Sequence, residues 1–129
     1  MKLNVLKPNA HYDLVHGKPL PLEKDNNGKT FVRYNIEPEM GIPEGKKEAE
    51  QVGWQCYEVT TFEAATKPNL KKATIRSVID ETAEFDLVNS YNKHVLAIAK
   101  DESAVTKYKE HLQFTEDLDV ALSEIMSNI

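Results

Sequence analysis

A chain of 129 residues, 40% hydrophobic and 29% charged, has room for one domain or two small lobes on a shared core, and its composition excludes a disordered chain. Its formal charge is −5 and it has no dense lysine or arginine stripe, which argues against nucleic acid as a direct partner. No stretch approaches the roughly 20 apolar residues of a membrane-spanning helix, and the first residues lack the apolar run of a signal peptide. The expectation is a soluble protein made in the cytoplasm, with no membrane partner and Met1 as its native start. The single cysteine, Cys56, cannot form an internal disulfide, which fits a reducing compartment.

Gly and Pro divide the chain. Residues 1–62 hold five of the six prolines and all five glycines, whereas residues 63–129 hold only Pro68. Gly and Pro punctuate turns and strands, and their absence permits long helices. The fold class is therefore α+β: an N-terminal β-hairpin or small antiparallel sheet followed by a three-helix C-terminal bundle. The two regions, 1–62 and 63–129, are expected to form one structural unit.

In chain order, "PLPLE" and "KTFVRYNIE" flank "KDNNG", where Asn27-Gly28 signals a hairpin because both residues accept positive φ. Pro19 and Pro21 cannot donate ladder hydrogen bonds, so the first arm is an edge. The second arm alternates, with Val32, Tyr34 and Ile36 on its buried face. "EPEMGIPEGKKEAEQ" reads as a long charged loop with a helical turn at 45–51. "GWQCYEVTTF" (53–62), rich in β-branched and aromatic residues, reads as a strand. Cys56 lies on one face of it between Trp54 and Glu58. No neighbouring cation, histidine or helix N-terminus lowers its pKa, so it reads as a half-buried structural residue.

Three helices follow. The first is capped at Thr66 or Lys67, has Pro68 in its first turn, and carries the stripe Leu70, Thr74, Ile75, Val78 and Ile79. The second begins near Thr82 with Glu84 in its first turn and carries Phe85, Val88, Tyr91, Val95 and Ile98. The third begins at Asp101 and carries Val105, Tyr108, Leu112, Leu118, Leu122 and Ile125.

Groups that could carry chemistry are sparse. His11 and His16 flank Asp13 but lack a reliable third metal ligand. His94 and His111 border helical apolar stripes, and a Cys56–His94 pair would exist only if folding created it. The acids of "IDETAEFD" and "TEDLD" suit a helix start and a solvated helix face better than acid–base work. No phosphate-binding, dinucleotide, nucleophile-elbow or zinc-protease motif is present. No catalytic residue, metal or cofactor is expected. The apolar residues of the first half are thin, and a lone hairpin is marginal in water. That half must pack on the helices, on a second copy in a homo-oligomer, or on another protein. Phe31, Tyr34, Trp54 and Tyr57 are the candidate partner-binding residues.

Residues 53–92 resemble a pattern found in small proteins encoded by phages and prophages of gut anaerobes. There a "GWxCxE" strand precedes a helix with "LxxAIIR", an acid-rich turn and a helix ending in "YN". The matching positions are Gly53, Trp54, Cys56, Glu58, Leu70, Ala73, Ile75, Arg76, Phe85, Asn89, Tyr91 and Asn92. The resemblance implies an accessory component of a virion or of fibre assembly, with no catalytic residues to transfer. The expected function is thus a non-catalytic protein–protein interaction protein, a virion component or a fibre attachment or assembly factor, whose partners are other virion or fibre subunits. The alternatives are a host-cell adaptor or regulator, or a small enzyme using Cys56 or an acidic pair.

Overall fold

A computed structural model describes residues 2–128. Four antiparallel strands, β1 (Ala10–Asp13), β2 (Leu22–Lys24), β3 (Thr30–Gly41) and β4 (Glu50–Thr61), form one sheet in the order β1-β4-β3-β2. Three helices follow: α1 (Lys67–Val78), α2 (Glu81–Val95) and α3 (Glu102–Ser127). The α+β class and the order of a sheet followed by three helices are as the sequence implied.

β3 and β4 pair from Thr30↔Thr61 out to Gly41↔Glu50. The predicted long loop after Glu37 is therefore mostly strand, and only residues 42–49 connect the two. Pro38 is tolerated because β2 covers β3 only as far as Val32 and the last bond on that edge is Arg33 N–H to the Pro21 carbonyl, 2.8 Å; beyond Arg33 no strand lies on the outer edge of β3 to take an N–H. The expected helical turn at 45–51 is absent, because Glu50 and Gln51 are already in β4.

The β2–β3 turn also differs from expectation. Of Asn27 and Gly28, only Gly28 has positive φ (82°). The Asp25 carboxylate instead accepts from the N–H groups of Asn27 and Lys29, both at 2.9 Å, and this side-chain turn makes a second left-handed residue unnecessary.

Val32, Tyr34 and Val59 enter the core with Leu70 of α1 and Phe114, Leu118, Ala121 and Leu122 of α3. The alternation predicted for β3 ends at Asn35, which has φ 53° and lies at a register shift between Tyr34 and Glu37. Ile36 is consequently only half-buried. The Asn35 side chain accepts from Leu3 N–H at 2.8 Å and donates to the carbonyls of Leu3 (2.8 Å) and Leu6 (2.9 Å). It thereby draws the N-terminal segment over the sheet, where Leu3 and Leu6 are 3% and 2% exposed.

Each helix starts on a side-chain cap. Thr66 accepts from Asn69 N–H, Asp101 accepts from Ser103 N–H, and α2 is capped by Asp80, which accepts from Ala83 N–H at 2.7 Å. The cap expected at Thr82 therefore lies two residues earlier, on the stronger carboxylate acceptor. α1 and α3 contribute to the core. α2 packs on α3 and has no buried residue.

Candidate interaction surface

The sheet has two unlike faces. On the helix side, Tyr34 and Tyr57 reach α1 through hydroxyl contacts with Thr74 and Ser77, both 2.7 Å. On the other side, alternation places Phe31 and Arg33 of β3 beside Trp54, Cys56, Glu58 and Thr60 of β4. Among the described residues no α-helix lies over this second face, and the short 3-10 turn Leu14–His16 stands at its β4 side. Residues 14–21 cross it instead: the Leu20 carbonyl accepts from Arg33 Nη1 at 2.9 Å, and Lys18 Nζ sits 5.7 Å from the Trp54 ring centroid.

The centre of this face is a charged knot. Arg33, 4% exposed, donates from Nε to Glu58 at 2.8 Å and pairs through Nη1 with Glu23 at 2.8 Å. Its guanidinium lies 5.1 Å from the Tyr12 ring centroid and 5.2 Å from that of Phe31. Burial works against the Arg33 charge, yet the bonds to Glu58, Glu23 and Tyr12 more than offset it and hold the group protonated. Tyr12 donates its hydroxyl to Glu58. Burial, then this carboxylate, pushes the tyrosine above its ordinary range.

Cys56 lies in the same layer and is fully buried. Burial, with the Glu58 charge adding to it, pushes its thiol up to about 11. A nucleophilic thiol needs the opposite shift. His94 is not its partner, since His94 Nδ1 accepts from Asp101 N–H at 3.0 Å, at the start of α3.

The other chemistry-bearing residues serve the architecture. His11 Nδ1 meets Glu39 at 2.5 Å. Glu84 bridges all three helices, taking Arg76 of α1 at 2.7 Å and His111 of α3 at 2.6 Å. Asp119, expected to face water, is gripped by Lys67 at 2.9 Å and Lys71 at 3.2 Å. Among the described residues no group of three or more His, Cys, Asp or Glu is arranged to hold a metal ion, and no helix is long and apolar enough to cross a membrane.

The four candidate partner-binding residues are not brought together. Tyr34, 3% exposed, belongs to the core and offers no contact surface, because the alternation of β3 turns it toward α1. Tyr57 is half-buried on that same helix side. Phe31 and Trp54 do share the second face, half-exposed and each beneath a cation: Lys29 lies 5.3 Å from Phe31. The crossing segment exposes Leu14, Val15 and Leu20, with Val15 94% exposed, and the far end of the β3–β4 hairpin exposes Met40, Ile42 and Val52. Sequence reading missed these exposed residues. Their only signal was apolar residues standing in Pro- and Gly-rich segments.

No protein-family model, curated protein or solved structure matches this chain.

Proposed function

We propose that the chain is a non-catalytic protein–protein interaction protein that binds another protein through the helix-free side of its sheet. One observation carries this reading. Leu14, Val15 and Leu20 of the crossing segment and Met40, Ile42 and Val52 of the hairpin end remain exposed, although the polar groups of the helix-free face are tied to one another. Exposed apolar side chains beside half-exposed aromatics suit a protein contact. In the setting implied by the resemblance of residues 53–92, the partner is a structural protein of a phage particle or fibre. The chain then acts as a particle component or as a fibre attachment or assembly factor. The buried, upshifted Cys56 thiol weighs against an enzyme built on that residue.

The test places a photo-crosslinking amino acid at Val15, at Met40, or at Lys109 on exposed α3 as control, and mixes the purified chain with proteins of the cognate particle. Crosslinks from positions 15 and 40 but not 109, weakened by Trp54→Ala at unchanged helical signal, are the expected result. Equal crosslinking from all three positions would refute the assignment, and crosslinks to a host protein alone would favour the adaptor reading.

A further inference from the structure

We infer that the cleft where α1 and α2 meet over α3 binds a small amphipathic carboxylate, with its hydrocarbon part toward α2 and its carboxylate on Lys71. The site lies in the helical half of the chain and does not rest on the protein-binding reading above.

The cleft has a volume of about 390 Å³ and is lined from all three helices. That size falls within the roughly 300–1,000 Å³ of small-molecule sites, and the space between packed helices is a common place for them. α3 sets the order of the lining. Tyr91 of α2 packs on Tyr108, with ring centroids 4.9 Å apart, so Val88, one turn back along α2, belongs to the Tyr108 end. His111 follows, holding Glu84 at 2.6 Å. Thr115 comes one turn later and shares the cleft with Lys71 of α1. One turn beyond that, Asp119 takes Lys71 at 3.2 Å. From Tyr108 to Thr115 is about 10 Å along the helix axis.

Apolar and charged groups are spread unevenly over this length. Ile75, Phe85, Val88, Tyr108 and Leu112 supply apolar surface, of which Phe85 and Leu112 remain 60% and 48% exposed. Among the described residues Glu84 is the only carboxylate in the lining, and Arg76 and His111 already occupy it. Lys71 is the only ammonium in the lining. It shares Asp119 with Lys67, which lies 2.9 Å from the same carboxylate, so two cations meet one anion at this end. An ammonium carries three donors, and Lys71 gives one of them to Asp119. The spare donors and the surplus charge select an anion, and the apolar remainder selects a hydrocarbon body. A small carboxylate with an apolar tail meets both demands. An amine would be repelled by Lys71, and a neutral molecule would leave its charge unanswered.

The experiment titrates the isotope-labelled full chain with octanoate below its micelle concentration and follows the backbone amides by NMR, with octanol and octylammonium as comparison probes. The expected result is saturable shifts grouped at residues 71–75, 84–88 and 108–115. Octanoate should bind at least about threefold more tightly than octanol, and octylammonium should not saturate the site. Lys71→Met, which leaves Lys67 on Asp119, should raise the octanoate Kd about three- to tenfold and leave that of octanol unchanged. Phe85→Ala, at an exposed position, should weaken both at unchanged circular dichroism. Absence of saturable shifts, or shifts scattered outside these residues, would overturn the site. Octanol bound as tightly as octanoate, or Lys71→Met binding octanoate like wild type, would overturn the carboxylate assignment.

Discussion

Asn35 does two jobs that no other residue type does as well. Its positive φ makes the bulge that ends the alternation of β3, and its amide holds three backbone groups of the N-terminal segment. Asparagine tolerates the left-handed region because its short polar side chain bonds locally. Asn35→Ala should cost about 2–4 kcal/mol in chemical denaturation, from the lost bonds plus left-handed strain. Asn35→Gly removes the bonds but relieves the strain, and should be less destabilising by about 1 kcal/mol. Both variants should expose the amides of Leu3 and Leu6 to hydrogen exchange. Unchanged protection there would show that the leucines, not Asn35, hold the segment.

Elements meet at two junctions that can be tested. β1 approaches β4 at Gly53, where an added Cβ would lie 2.4 Å from the Tyr12 carbonyl oxygen. Backbone cannot yield as a flexible side chain can, so Gly53→Ala should push β1 off the sheet. The expected signature is faster exchange at residues 10–13 and an exposed, more reactive Cys56, with the helices intact. A full-strength β1 in that variant would contradict the close approach. The same junction gives a physical reason for the glycine in "GWxCxE". The second junction is Glu84 between α1, α2 and α3. The hydrogen bond from Arg76, then that from His111, holds its carboxyl below the usual 4.5. The folded chain therefore releases this proton more readily than the unfolded chain. The stability so gained is complete above about pH 4.5 and is lost as pH falls through the lower folded value. Asp119, held down by Lys67 and Lys71, adds to the same acid-side loss. Glu84→Gln should lower stability at pH 7 and flatten the dependence below pH 4.5; a slope identical to wild type would mean that Glu84 is not its source.

Across the whole molecule, strands and helices share one set of buried side chains. Leu118 of α3 is 0% exposed and belongs to the cluster that holds Val32 and Val59 of the sheet. Leu118→Ala should cost about 2–5 kcal/mol and shift the melting of helix and sheet signals together, as a single cooperative unit requires. Separate transitions would mean that the sheet and the helices fold independently.

Some of this was legible residue by residue. The Gly and Pro asymmetry announced a sheet followed by helices, because those residues act on local backbone freedom. Thr66, Pro68 and Asp101 announced helix starts for the same local reason. The strand at 53–62 followed from its β-branched and aromatic content. The α2 cap at Asp80 was overlooked because Thr82 offers the same local signal two residues later. The long reach of β3 past Pro38 was hidden because the sequence does not say which strand edges go unpaired. β1 has four residues and no strand pattern of its own, and it exists through its register with β4. Alternation along β3 already put Tyr34 on the buried face, where it lies; its candidacy as a contact residue rested on aromatic character, which alone does not tell core from surface.

What the sequence determined by itself was therefore the local grammar: turns, caps, strand and helix content, and the absence of known catalytic motifs. Tertiary structure alone decided which faces are covered. It buried Cys56 and Tyr34, tied Glu84 and Asp119 to cations from distant elements, and left Val15, Met40 and Ile42 exposed. Burial is settled by contacts between residues far apart in the chain, and no local pattern carries that information.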